Sequence, residues 1–173
     1  MQLTYITPST HEELSEHREV LWFLCSFAPE DVCFDLVPFV DDLMEYFAGF
    51  LTLVYSGKLV IGFYVLYPVL GRSKRSYDIH GVYRQDLKLI FGRQNAKVLM
   101  DHIFSGIFQR VFLEAGKDKV VAKVTPKART ARIWLHRYGF ERVNAVERNA
   151  YGVPQTIWKL ERDKYLGVIK HYG

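Results

Sequence analysis

Ala131-Arg132-Ile133-Trp134-Leu135-His136-Arg137-Tyr138-Gly139-Phe140 is the stretch from which the rest of the chain can be read. Its apolar residues recur at helical spacing, Gly139 stands where a helix ends in the left-handed C′ conformation, and Phe140 follows as an anchor for the next strand. Upstream, residues 120–124 form a short apolar strand and Pro126 opens the helix. Downstream, residues 140–148 and 154–160 are predicted to pair as a hairpin around Asn149-Ala150-Tyr151-Gly152.

Working back from there, the longest helix is predicted from Arg93 to about Glu114, with Ala96, Met100, Ile103, Phe104, Ile107 and Val111 on its buried stripe. A strand over residues 76–83 precedes it, behind the polar Gly71-Arg72-Ser73-Lys74-Arg75. Residues 50–55 and 59–67 are β-rich runs joined by Ser56-Gly57-Lys58, a hairpin signature. Nearer the N-terminus, residues 3–6 form a strand, and Thr10 with Glu13 makes a capping box for one helix running to about Phe23. Pro29-Glu30-Asp31 opens a second helical region, in which Pro38 starts a helix burying Phe39, Val40, Leu43, Met44 and Phe47, and Gly49 ends it. The predicted order is β-α-α-β-β-β-α-β-α-β-β. It is a mixed α/β class, expected as a single domain over residues 1–160 with a tail, 161–173, packed on the domain or extending from it.

With 49% hydrophobic residues, twelve Phe and eleven Tyr, the 173-residue chain can bury a sizeable core, which excludes a disordered chain. No apolar run approaches the ~20 residues of a bilayer span, and the N-terminus lacks a signal-peptide pattern, so a cytoplasmic protein is expected. Cys25 and Cys33 are too far apart for a Cys-x-x-Cys motif and read as buried thiols. His11, His17, His102, His136 and His171 form no constellation, and no metal is expected. Charge is lopsided: residues 1–50 hold ten Asp or Glu against Arg18 alone, whereas the remainder is strongly basic. The basic part is either an anion-receiving surface or an evenly solvated one.

The element order and two motifs resemble the GNAT superfamily of acetyl-CoA-dependent N-acetyltransferases, over about residues 1–160. The 131–140 stretch resembles that family's Ala-x-x-x-Tyr-x-x-x-Gly-Phe helix ending, and Phe91-Gly92-Arg93-Gln94-Asn95-Ala96 falls on its Arg/Gln-x-x-Gly-x-Gly/Ala pyrophosphate loop. The resemblance implies a central mixed, mostly antiparallel sheet with helices on both faces, opening between its fourth and fifth strands to hold acetyl-CoA. On it, Gly92, Arg93, Gln94, Asn95 and Ala96, with Val82 and Arg84 just before them, are the cofactor-binding candidates. Physically, a helix N-terminus there offers N–H groups and a positive dipole end to a phosphate. Phe91 and Gln94 depart from the motif, as does Ala128, which stands where the family has a cofactor-holding Asn.

The family's proton-donating Tyr is Leu135 here, which cannot donate a proton. Tyr138 is either its replacement or packed against the sheet. Asp78 and His80, two apart in the 76–83 strand, share a face; His80 deprotonates an amine with Asp78 tuning it, or the two are an ordinary half-buried pair. The function expected is acetyl transfer to an amine of unknown identity. Divergent GNAT-like chains also resemble proteins of tailed bacteriophages, some associated with the virion. The alternative is therefore a catalytically inactive structural protein with protein partners in a larger assembly, located in host cytoplasm or virion. Nucleic-acid binding through Arg72, Lys74, Arg75, Lys123, Lys127, Arg129 and Arg132 is a third idea, but no nucleic-acid module accompanies these residues, and nucleic acid is not the expected partner.

Overall fold

Helices and strands follow one another as β1 (Leu3–Ile6), α1 (His11–Ser15), α2 (Arg18–Cys25), α3 (Leu36–Tyr46), β2 (Leu51–Ser56), β3 (Leu59–Pro68), β4 (Ser76–Tyr83), α4 (Leu87–Phe91), α5 (Arg93–Phe108), a π-helical stretch (Gln109–Glu114), β5 (Lys119–Val124), α6 (Arg129–Arg137), β6 (Glu141–Arg148) and β7 (Pro154–Glu161). They belong to a computed structural model that describes residues 2–28, 36–68, 75–149 and 152–166, with residues 36–39 described by backbone alone. Pro29, Glu30, Asp31, Cys33, residues 71–74 including Arg72 and Lys74, Ala150, Tyr151, His171 and the side chains of Pro38 and Phe39 lie outside the described residues. The strands form a seven-stranded sheet ordered β1-β2-β3-β4-β5-β7-β6, mixed α/β as expected. The chain divides into two compact units, Met1–Leu66 with His80–Ser105 and Tyr67–Ile79 with Gly106–Gly173.

In the first unit β1, β2 and β3 run antiparallel, with Leu3 opposite Ser56 and Leu53 opposite Phe63. Leu21, Leu24, Val40, Leu53, Ile61 and Ile103 are fully buried there, and removal of this apolar surface from water is the main stabilising contribution. Thr10 caps α1 through its Oγ1, which accepts from the Glu13 N–H at 3.2 Å, while the Glu13 carboxylate reaches back to the Ser9 N–H at 2.7 Å. The helix predicted to run unbroken to Phe23 is two helices. Ser15 Oγ bonds back to the His11 carbonyl at 2.8 Å, a contact that bends and ends helices, and His17 takes φ −99° and ψ 10° before α2 restarts. Helix α3 begins at Leu36, two residues ahead of Pro38; a first-turn proline is tolerated because its missing N–H has no intrahelical acceptor. Gly62 of β3 admits the neighbouring backbone very closely, since a Cβ there would stand 2.5 Å from the Val82 carbonyl oxygen and 2.9 Å from Tyr83 Cα.

In the second unit the first half of β4 pairs parallel with β5, Ser76 opposite Lys119 and Asp78 opposite Val121, and β5 pairs antiparallel with β7, which pairs with β6. The long helix predicted to Glu114 holds α-helical pitch only to Phe108 and continues as a π-helix, with Ala115 N–H bonding to the Arg110 carbonyl at 2.8 Å. Its wider turn gives Val111 and Phe112 fully buried places. Phe112 joins an aromatic cluster in which Phe108 meets Tyr138 and Phe140 at ring-centroid distances of 6.0 and 5.9 Å. Residues 162–166, predicted as part of a polar tail, form a helical turn whose Tyr165 packs 5.1 Å from Phe112 and 5.5 Å from Phe108.

Helix α6 starts later than Pro126 suggests. Pro126 sits instead in a turn closed by the Ala128 N–H on the Thr125 carbonyl at 3.2 Å. Its end is a Schellman motif: Phe140 N–H reaches the Leu135 carbonyl at 3.0 Å, Gly139 N–H reaches the His136 carbonyl at 3.1 Å, and Gly139 has φ 83°. Leu135 and Phe140, both buried, supply its apolar contact positions.

Candidate functional site

The glycine-loop candidates lie in the first unit. Beyond β4, the Arg84 N–H bonds the Ile61 carbonyl at 3.0 Å, and its guanidinium grips Asp86 with two hydrogen bonds of 2.9 and 2.7 Å. The same guanidinium lies 5.0 Å over the Phe23 ring. The hydrogen bond to Asp86 raises the Arg84 pKa and holds the Asp86 carboxyl below its ordinary value. Arg84, expected as a phosphate contact, is thus engaged in fastening the post-β4 turn against α2, together with Gln85, whose amide donates to the Phe27 carbonyl at 2.8 Å. Val82 is buried on β4 with its carbonyl oxygen against Gly62.

In place of the plain loop expected after the strand, α4 intervenes and Gly92 follows it with φ 77° and ψ 157°. Helix α5 then begins at Arg93. Gly92, Arg93, Gln94 and Asn95 are exposed and Ala96 is buried, its N–H on the Gly92 carbonyl at 3.0 Å. The Asn95 side chain ties back to the Phe91 carbonyl at 3.0 Å. A Cβ at Gly92 would meet nothing within 4 Å, so the space over this helix start is open. The first-turn N–H groups of α5, the dipole's positive end and the exposed Arg93 together suit an anionic phosphate. The residues therefore fit the pyrophosphate of acetyl-CoA in backbone chemistry, although Gln94 replaces a glycine and Phe91 an Arg or Gln.

The Asp78 candidate lies in the second unit. It is 1% exposed on β4, and its carboxylate pairs with Lys123 Nζ of β5 at 3.5 Å. Lys123 in turn holds Glu147 of β6 at 2.8 Å. Burial opposes the Lys123 charge, but the hydrogen bond to Glu147 and the charges of Asp78 and Glu147 outweigh it and raise the Lys123 pKa. Tyr67, at the end of β3, has its hydroxyl pKa pushed up first by burial and then by Asp78, with Lys123 opposing. The salt bridge of Asp78 thus runs to Lys123 rather than serving only as a tuner of His80, which is half-buried two residues along the same face of β4. Lys123, Glu147 and Tyr67 had no motif to announce them; only the register of Asp78 opposite Val121 puts Lys123 within reach.

Tyr138 closes α6 half-buried, stacked on Trp134 at 5.8 Å and 12° and edge-on to Phe108 at 6.0 Å. Ala128 precedes α6 without a side-chain cap. Among the described residues no group of three or more His, Cys, Asp or Glu could hold a metal ion, and no helix is long and apolar enough to cross a membrane.

No family model matches the chain, and no curated protein matches it in sequence. Solved structures do match. The aminoglycoside acetyltransferase AAC(6')-Ib in complex with coenzyme A superposes with a TM-score of 0.66 at 15% identity, covering 97% of this chain and 99% of that one. A mutant form of spermidine N-acetyltransferase SpeG from Vibrio cholerae gives 0.63 at 13% identity over 97% of this chain and 98% of that one. A GNAT-family acetyltransferase from Bacillus anthracis gives 0.55 at 14% identity over 94% and 96%. The protein has the fold of the GNAT acetyltransferases.

Proposed function

We propose that this protein is an N-acetyltransferase that uses acetyl-CoA and an amine acceptor. The observation that carries the reading is the open, exposed start of α5 at Gly92 to Asn95, in a chain whose fold matches GNAT enzymes along nearly its whole length. Acetyl-CoA would supply an acetyl group already activated as a thioester. The α5 N–H groups and Arg93 would bind its phosphates. On β4, half-buried His80 would accept the amine's proton, while the carboxylate of buried Asp78, two residues along, is paired with Lys123. Leu135 offers no acid, so transfer would rest on placing amine and thioester together more than on proton donation.

Calorimetric titration with acetyl-CoA tests this. Saturable heat is expected for the native chain, and Gly92→Glu, which puts bulk, negative charge and a side chain unsuited to φ 77° at the helix start, is expected to abolish it. Absence of heat with the native chain would sink the proposal. Spermidine and an aminoglycoside are the first acceptors to try, after the matched structures. Leu135, fixed in the α6 ending, is the one feature that speaks for the second reading, a non-catalytic protein. Cofactor binding without turnover over a wide amine panel is its expected result.

A further inference from the structure

Asp86 breaks a local rule at the start of α4. It stands at the N-cap, where an aspartate ordinarily accepts a hydrogen bond from a first-turn N–H, yet its side chain makes no cap bond. Its carbonyl alone serves the helix, accepting from the Leu89 and Ile90 N–H groups at 2.9 and 3.1 Å. The carboxylate is turned to the two-pronged grip of Arg84 instead. A helix of five residues is marginal by itself, so a forgone cap is a loss that another contact must offset.

Arg84 supplies the offset by carrying the helix start to α2. Its side chain is 13% exposed, and its guanidinium lies 5.0 Å from the Phe23 ring centroid and 5.9 Å from that of Phe27. Those two rings meet edge to face at 5.3 Å. Beyond this clamp few side chains anchor the chain. Leu87 is buried and Phe91 half-buried, whereas Lys88, Leu89, Ile90 and the run Gly92 to Asn95 are exposed. The first N–H groups of α5 are therefore held from one side by buried Ala96, and from the other by Leu87, Phe91 and the Arg84–Asp86 clamp. We propose that Arg84 is a positioning residue for the acyl donor, fixing the start of α5 through Asp86 and α4, with Phe23 acting through Arg84; this rests on the reading of that helix start as the acetyl-CoA site. The end of α2 is thereby coupled to donor binding. A planar fork is needed, because two parallel hydrogen bonds fix the carboxylate while the flat face of the guanidinium lies over the ring.

The dissociation constant of acetyl-CoA by calorimetry, with hydrogen–deuterium exchange on the full chain, tests this. Arg84→Met keeps the stem and removes the fork; it is expected to weaken acetyl-CoA binding ~10-fold or more and to speed exchange of the Leu89 and Ile90 amides. Arg84→Lys should weaken binding less, and Phe23→Leu about 3-fold. Added to Arg84→Met, Phe23→Leu should weaken binding no further, since its effect runs through the absent guanidinium. Val54→Ala, which opens a cavity at a fully buried position of β2, is the control for stability alone: it should lower the unfolding midpoint and leave acetyl-CoA binding as in the native chain. Circular dichroism checks that each variant folds, and if Arg84→Met does not, Arg84→Lys and Phe23→Leu carry the test. Native-like binding by the Arg84 variants, an equal loss in Val54→Ala, or additive losses for Arg84→Met and Phe23→Leu overturns the proposal and leaves the acetyl-CoA reading standing. A native chain that binds no acetyl-CoA overturns both.

Discussion

Lys123 carries the largest single electrostatic consequence in the second unit, because Asp78 is almost completely buried and its charge there depends on the ammonium beside it. Lys123→Met keeps the stem and removes the charge, leaving a buried carboxylate uncompensated; a loss of about 2–4 kcal/mol in urea unfolding is expected. Lys123 and Tyr67 together have a pH signature. The Lys123 and Tyr67 pKa values are raised in the folded state from ordinary values of 10.5 and 10.0, so the folded chain holds these protons more tightly than the unfolded one. Their contribution is complete below about pH 10 and is lost as pH climbs through the raised values. The unfolding midpoint should fall as pH rises above about 10, with the Lys123 part of that fall missing in Lys123→Met. A flat native profile across that window would contradict the assignment.

Among the described glycines, the tightest is Gly62, where a methyl group would run into the Tyr83 ring and also into the backbone of Val82 and Tyr83, which cannot swing away as a side chain can. Gly62→Ala is therefore expected to cost about 2–4 kcal/mol in chemical denaturation. Gly81→Ala makes the useful control: its Cβ would stand 3.1 Å from the Phe63 carbonyl oxygen and from a Tyr83 ring carbon, so a smaller loss is expected. Equal losses would mean that β3 and β4 can separate to accept the methyl. The short C-terminal turn belongs to the same scale. Ending the chain at Glu161 removes Tyr165 from Phe108 and Phe112 and Lys164 from Glu141, a 2.7 Å pair. A midpoint about 6–12 °C lower in thermal unfolding is expected.

Across the whole molecule, strands were the most legible part of the sequence. Residues 76–83 and 3–6 coincide with β4 and β1, because alternation and turn residues act locally. Helix interruptions were less so: the Ser15 back-bond is a local choice that apolar spacing does not reveal, and neither the helix α4 nor the change to π pitch at Gln109 carries a motif of its own. The candidate site divides the same way. Gly92 and Ala96 could be found from spacing, as could the shared face of Asp78 and His80. Lys123 and Glu147 could not, since their meeting with Asp78 requires the register across β4, β5, β7 and β6. The engagement of Arg84 by Asp86 and Phe23 could not be read either, since the ring reaches its guanidinium only once the turn and α2 are folded.

The Schellman ending of α6 bears on how the chain could change over time. Leu135, where the resemblance to the GNAT helix ending implies an acid, is 6% exposed at the C3 position opposite Phe140. A single exchange to tyrosine would push a hydroxyl into that apolar contact and loosen the helix terminus before it delivered any proton. Installing a proton donor at this position would thus need at least two coordinated changes, one to rebuild the helix end and one to supply the acid.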